Sequence, residues 1–298
     1  MKGADAMQKT ITSLLIQSGI DCFGFLPLDA CSVKKPYLLE RTGISQGSVA
    51  IFAMPYYTSV CDGNKNISAY AAAKDYHLYF KALSEQLLSV LLLAFPEHRF
   101  AAFADHSPID ERSAAAMAGL GVIGKNGLLI TEKYSSYVFL GEIITDAKIE
   151  CVSIETEYCT HCGACEKACP MAKGETGECL SSLTQRKGEL TKAEASVLKK
   201  YGCAWGCDLC QEACPYTKKA KQRGSLYTPL AFFYEDTLPL LTRETLHNMD
   251  DSAFALRAYS WRGREVILRN LKLLEKQNEL SKNQGESKHS LQSTSHKA

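Results

Sequence analysis

Nine of the thirteen cysteines in this 298-residue chain lie between Cys159 and Cys214. The run CTHCGACEKACP, Cys159 to Pro170, has the form C-x2-C-x2-C-x3-C-P, and CDLCQEACP supplies Cys207, Cys210 and Cys214 ahead of a second Cys-Pro pair. Three thiolates spaced this closely can grip one iron–sulfur cubane, while the fourth cysteine of the run reaches the other cubane. By that logic one [4Fe-4S] cluster takes Cys159, Cys162, Cys165 and Cys214, and a second takes Cys169, Cys207, Cys210 and one more thiolate. The missing ligand is Cys179 or Cys203, the latter four residues before Cys207. Zinc also accepts thiolate quartets, but the triplet-plus-remote pattern and the two Cys-Pro ends favour iron and sulfide. Cys22, Cys31, Cys61 and Cys151 stand singly and read as small core residues.

The elements that must position these thiols belong to an ordinary globular chain, with 46% hydrophobic and 22% charged residues and a net charge of +1. Such a balance produces no global field toward nucleic acid or membrane. No run reaches the roughly 18 apolar residues of a membrane span, and the longest, Leu87 to Phe95, stops at Pro96. Asp5, Gln8, Thr10 and Thr12 interrupt the N-terminal apolar stretch, unlike a signal peptide. A cytoplasmic location is expected, where reduced thiols are available to metals.

The fold class expected is α+β. Residues 1–150 alternate helical and strand-like patterns and read as an α/β domain. KTITSLLIQSG is a helix closed by Gly19, SVAIFAMPY a strand, the stretch from Ser68 to Phe95 a helix, and RFAAFAD a strand ending at Asp105. SPIDERSAAAMAGLG follows as a helix with Ser107 as N-cap, and GLLITEKYSSYVFLGEIIT reads as a hairpin. Residues 151–216 form the ferredoxin-like two-cluster module and 217–275 a short helical segment. Residues 276–298 lack aromatics and read as a disordered tail. Neither phosphate-loop nor dinucleotide fingerprint is present around AGLG and GKN. Lys218, Lys219, Lys221 and Arg223, with Lys199 and Lys200, are either a solvated face or a contact for an RNA backbone.

SAYAAAKDYHLYFKALSEQL, FADHSPIDERSAAAMAGLGVIGKNGLLI, the first cysteine run, ECLSSLT, GCDLCQEACP and WRGREVILRNL together resemble the epoxyqueuosine reductase family, from about Ala4 to Leu274. These are cobalamin-dependent enzymes of tRNA queuosine synthesis. The cysteine runs alone indicate a ferredoxin; the block from Asp105 to Ile130 is what points to this family. The resemblance implies that Cys179 is the eighth cluster ligand and Cys203 a spare. It further implies an N-terminal domain that holds base-off cobalamin against the clusters, which deliver electrons to cobalt for attack on an epoxide carbon. Asp105 matches the family's proton donor, and general-acid help suits a strongly basic leaving alkoxide. Read without the resemblance, Asp105 is an N-cap or turn residue, and neighbouring His106 a solvated histidine.

Lys125 and Asn126 of GKN either meet a cofactor phosphate or amide edge or simply form a turn. Ser181 and Gln211, beside cluster ligands, are candidate cobalamin contacts or loop packing. The expected partners are tRNA and an external low-potential electron donor, with no membrane, and the chain is expected to be a monomer. Longer family members continue into helical repeats after the RNL-like segment, and this sequence does not. That departure keeps two alternatives in view, a corrinoid reductase of small molecules, as in dehalogenation, and a non-catalytic two-cluster electron carrier.

Overall fold

A computed structural model describes residues 2–171 and 178–275; the tail expected at 276–298 lies outside the described residues. Helix α1 (Lys2–Gln17) buries Met7, Ile11 and Leu15, a four-residue spacing that puts all three on one stripe. Strand β1 (Phe23–Pro27) leads to helix α2 (Pro36–Thr42), which opens on proline and closes on Gly43 in the left-handed region at φ 68°. Strand β2 (Ser48–Pro55) is buried at every position, as its continuous apolar run requires of a strand covered on both faces.

Next come helix α3 (Tyr76–Ala94), strand β3 (Phe100–Phe103), helix α4 (Glu111–Met117), the short strands β4 (Val122–Ile123) and β5 (Leu129–Ile130), and strand β6 (Val138–Thr145). The main sheet runs β1-β2-β6-β3 and is antiparallel throughout, so the alternating pattern builds an α+β architecture. One core, from Met7 and Ile11 to Leu87 and Ile143, fills the face under α1 and α3. A second, from Val49 and Ile51 to Ala115 and Ile144, fills the face under α4.

Three local expectations give way to tertiary contacts. The helix expected from Ser68 begins only at Tyr76, capped by Asp75, whose carboxylate accepts from the His77 N–H at 3.0 Å. Upstream, Ser68 is tied to the cysteine module instead, its N–H donating to the Trp205 carbonyl at 2.7 Å, which overrides helix propensity. Ser107 is not the N-cap of α4. Asp110 accepts from the Ser113 N–H at 3.3 Å, while the Ser107 hydroxyl donates to Glu142 at 2.5 Å. The expected hairpin does not form either: β5 pairs with β4, and β6 becomes an inner strand between β2 and β3. Two apolar runs around a polar turn specify strands but not which strands they join.

The cysteine-rich stretch folds as short helices, α5 (Ala164–Ala168), α6 (Leu180–Gln185), α7 (Lys192–Tyr201), α8 (Leu209–Glu212) and α9 (Pro215–Gln222). A capping box between Thr191 and Glu194 starts α7. The chain then returns over the first core with Ala220, Leu226, Leu230 and Phe233. The final turns, with helical residues 264–275, enclose Trp205 and Tyr259 in a third core that also takes in Ile67 and Ala71. No helix among the described residues is long and apolar enough to cross a membrane.

Candidate redox and cofactor site

Cys159, Cys162, Cys165 and Cys214 line one pocket, together with Lys125, Asn126, His161 and Tyr216. The strand β4 aims the first of them: the Ile123 N–H donates to the Glu157 carbonyl at 2.9 Å, and the Cys159 N–H returns to the Ile123 carbonyl at 3.0 Å. The Lys125 backbone N–H then points at the Cys159 sulfur from 3.3 Å. Hydrogen bonds to ligand sulfurs are one means by which a protein sets a cluster's potential. Gly163, at φ 75°, turns the loop into α5, which packs on α8 and carries Cys165 toward the side where Cys214 ends the second run.

The second group gathers behind α6. Burial pushes the Cys210 thiol up to about 11; an Asn126 side-chain contact opposes this, and Cys207, Cys179 and Cys169 add to the rise. Cys203 faces Cys207, and this shared contact raises the Cys207 thiol and lowers that of Cys203. Both sequence candidates for the eighth ligand are therefore at hand, Cys179 near Cys210 and Cys203 near Cys207. Part of the link between Cys169 and Cys179, residues 172–177, lies outside the described residues. Raised thiols hold protons that iron must displace, so metal loading releases them.

Lys125 and Asn126 thus stand at the thiols. The Lys125 ammonium pairs with Glu166 at 2.8 Å, and Asn126 touches both thiol groups. Gln211 is buried and fully engaged, accepting from Ser136 at 2.9 Å and donating to Asp208 at 3.2 Å. The Ser181 hydroxyl accepts from the Gln185 amide at 3.0 Å, which puts it behind Gln185.

Sequence reasoning passed over Asp208, set between Cys207 and Cys210 and 5% exposed. Its carboxylate accepts from Lys65 at 2.9 Å, from the Ala69 N–H at 2.8 Å and from the Ser68 hydroxyl. Burial works against the Lys65 charge, but Asp208 and Glu212 outweigh it and hold the ammonium on. Gly206, at φ 68°, lets the loop pass Ser68, whose Cβ would lie 2.5 Å from any side chain placed there. This staple fixes the second thiol group against the segment between β2 and α3. An aspartate inside a ligand run is its only sequence signal.

Beside that group opens a cavity of about 610 Å³, lined by Tyr70, Asp75, Tyr76, His77, Asp105, Phe139, Gln185, Ala258 and Trp261. Tyr76 stacks on Phe139 with ring centroids 3.8 Å apart, and Trp261 is 60% exposed at the rim with the Arg262 guanidinium 3.9 Å above its ring. Gln185 ends α6, whose N-cap is Cys179, and its amide donates to the Tyr70 hydroxyl at 3.3 Å. One short helix therefore connects the second thiol group to the cavity wall.

Asp105 follows β3 by two residues and adopts φ 61°, unusual for a residue with a side chain. Its N–H donates to the Glu111 carboxylate at 2.9 Å, and its own carboxylate lies 3.9 Å from His77 Nε2. His77 Nδ1 meets Asp75 at 2.7 Å, and this contact holds the imidazolium above its ordinary range. Burial, helped by the Asp105 charge, pushes Glu111 up to about 7 against the opposing Asp105 N–H bond. Beneath the loop, Glu142 is wholly buried under Ser107, and desolvation drives its carboxyl well upward.

Sequence comparison agrees with the thiol geometry. Models of a 4Fe-4S binding domain match residues 152–172 and 201–217. The epoxyqueuosine reductase of Gloeobacter violaceus is 34% identical over 218 residues, covering 70% of this chain and 68% of that protein. A crystal structure of selenomethionine-labeled epoxyqueuosine reductase superposes with a TM-score of 0.70 at 25% identity, covering 91% of this chain and 81% of the other. A crystal structure of epoxyqueuosine reductase with an epoxyqueuosine-modified tRNA-Tyr stem loop shares the fold, with a TM-score of 0.70 at 23% identity and the same coverage. With its paired 4Fe-4S motifs and this fold, the chain belongs to the epoxyqueuosine reductase family.

Proposed function

We propose that this chain is a cobalamin- and iron–sulfur-dependent reductase that converts epoxyqueuosine to queuosine in tRNA. The observation that carries the reading is the single helix, α6, running from Cys179 in the second thiol group to Gln185 in the wall of the Asp105 cavity. Eight thiolates, Cys159, Cys162, Cys165 and Cys214 with Cys169, Cys179, Cys207 and Cys210, would hold two cubanes that supply electrons singly. The cavity suits a corrinoid: Tyr70, Tyr76, Phe139 and Trp261 offer flat apolar walls, while Asp75, His77 and Gln185 offer partners for peripheral amides. When bound, that group supplies an electron-rich cobalt nucleophile.

Turning an epoxide into an alkene consumes two electrons and two protons and releases the oxygen as water. In this reading Asp105 gives the first proton to the leaving oxygen, its carboxyl being 75% exposed toward the cavity side. Glu111 holds the Asp105 backbone in its left-handed turn, and His77, paired with Asp75, stands 3.9 Å from the Asp105 carboxylate, a gap that one bridging water would span to return a proton. A relative binds a modified tRNA stem loop on this fold, which supports tRNA as the carrier of the substrate.

The test is anaerobic purification, titration with cobalamin followed by its spectrum, and an assay on epoxyqueuosine-containing tRNA with a low-potential reductant. Corrinoid binding and queuosine formation are expected. Intact clusters without a corrinoid spectrum would leave an electron carrier, and turnover of a small organohalide but not of tRNA would leave a small-molecule reductase.

A further inference from the structure

A cationic and aromatic patch lies next to Asp105, outside the cavity. Helix α2 carries Tyr37 and Arg41 four residues apart and so on one face. The Arg41 guanidinium is 5.5 Å from the centroid of the Tyr37 ring, which is 44% exposed. Across from them, exposed His106 is held at both nitrogens, Nδ1 by the Lys35 ammonium at 3.0 Å and Nε2 by the Tyr37 hydroxyl at 3.1 Å. An ammonium can only donate, so Nδ1 accepts from Lys35. These two contacts fix the imidazole in place, and it joins α2 to the residue after Asp105. Among the described residues Lys35 and Arg41 form no ion pair, whereas Lys34 lies 3.7 Å from Asp110.

We propose that Lys35, Tyr37, Arg41 and His106 form a docking surface for a single-stranded stretch of RNA that delivers its base to the Asp105 cavity. The inference rests on the reductase reading above and names the surface on this chain that receives its RNA. Unpaired loop bases stack on aromatic rings and guanidinium planes, while phosphates seek lysine and arginine. All three kinds of group, aromatic ring, guanidinium and ammonium, are present here, and His106 makes the surface continuous with the site of chemistry. The basic run at α9 is a poorer candidate. There Lys221 pairs with Asp62 at 2.5 Å, and Arg223 donates to the Glu132 carbonyl at 2.8 Å.

The experiment measures fluorescence anisotropy of an unmodified tRNA-Tyr anticodon stem loop with the anaerobic, cluster-loaded protein across a salt series. Replacing both cations, Lys35→Gln with Arg41→Gln, should weaken binding about tenfold and reduce the salt slope by roughly 1 to 2. Tyr37→Ala should weaken binding by a similar factor with the slope unchanged, and Tyr37→Phe, which keeps the ring, should recover most of it. Iron content and melting temperature establish that each variant is folded. Wild-type affinity and slope in all the folded variants would overturn the proposal while leaving the reductase reading standing. Lost corrinoid binding with unchanged RNA affinity would assign the patch to the cofactor and also overturn it. A wild-type chain that converts epoxyqueuosine yet binds no stem loop at low salt would overturn it too, whereas absence of both would remove the reductase reading with it.

Discussion

The first thiol group, Cys159, Cys162, Cys165 and Cys214, lines an open pocket at the edge of the molecule and is aimed by backbone from β4. The second, Cys169, Cys179, Cys207 and Cys210, gathers under α6 and is pinned to the segment between β2 and α3 through Asp208. Their sequence motifs are near repeats, yet their surroundings differ. Each group has one exposed thiol, Cys162 in the first and Cys179 in the second, but only the second shares a helix with the cavity wall. Near-equivalent ligand runs thus acquire different neighbours from what packs around them.

The sharpest way to break that contrast is to remove the inner ligands. Cys207→Ala should abolish turnover and cut the iron count by about half, since one cubane of two is lost. The same iron assay on Cys179→Ala and Cys203→Ala decides the eighth ligand: loss with the first and retention with the second is expected, and the reverse would hand the role to Cys203.

Asp105→Asn tests the cavity independently of both thiol groups. Turnover should fall by roughly 10²-fold or more while the cluster and corrinoid spectra persist, because only the proton donor is gone. A variant with full activity would take Asp105 out of the chemistry.

Asp208→Ala should act on the inner group alone. Lys65 keeps Glu212 at 2.6 Å, but the Ser68 hydroxyl and the Ala69 N–H lose their acceptor, a loss of about 2 kcal/mol in chemical denaturation. Retained outer-cluster iron with a labile inner cluster would sharpen the contrast, and equal loss from both would erase it.

The smallest effect concerns the support of the Asp105 loop. The folded Glu111 carboxyl keeps its proton until about 7, whereas the unfolded one releases it near 4.5. Within that window the folded chain binds more protons, so stability falls as pH rises, by at most about 3 kcal/mol. Urea midpoints should lose part of this slope in Glu111→Gln, which retains an acceptor for the Asp105 N–H; an unchanged slope would show that Glu111 titrates normally.

Much of the thiol chemistry was legible because ligand spacing is local: a C-x2-C-x2-C run brings its sulfurs together on one short turn whatever surrounds it. The α1 stripe and the fully apolar β2 were legible for the same reason, since periodicity reports directly on burial. Ser107 was misread because a hydroxyl before a helix cannot reveal that a buried Glu142 on β6 will take its hydrogen bond. Lys125 and Asn126 read either as contacts for a cofactor phosphate or amide edge or as a simple turn, and the fold brings both to the sulfurs. The aromatic cavity left almost no trace, since Tyr70, His77, Asp105, Phe139, Gln185 and Trp261 come from distant parts of the chain.

The amino-acid order by itself determined which residues can grip iron, which segments must be buried, and the family to which the chain belongs, because each depends on short-range spacing or residue type. Only the tertiary structure decided which thiol group lies against the cavity, what holds Asp105 in its left-handed turn, and which cations form no ion pair beside it among the described residues. Those outcomes depend on long-range pairings, the Asp208 staple and the seating of β6 between β2 and β3, whose partners no local pattern encodes.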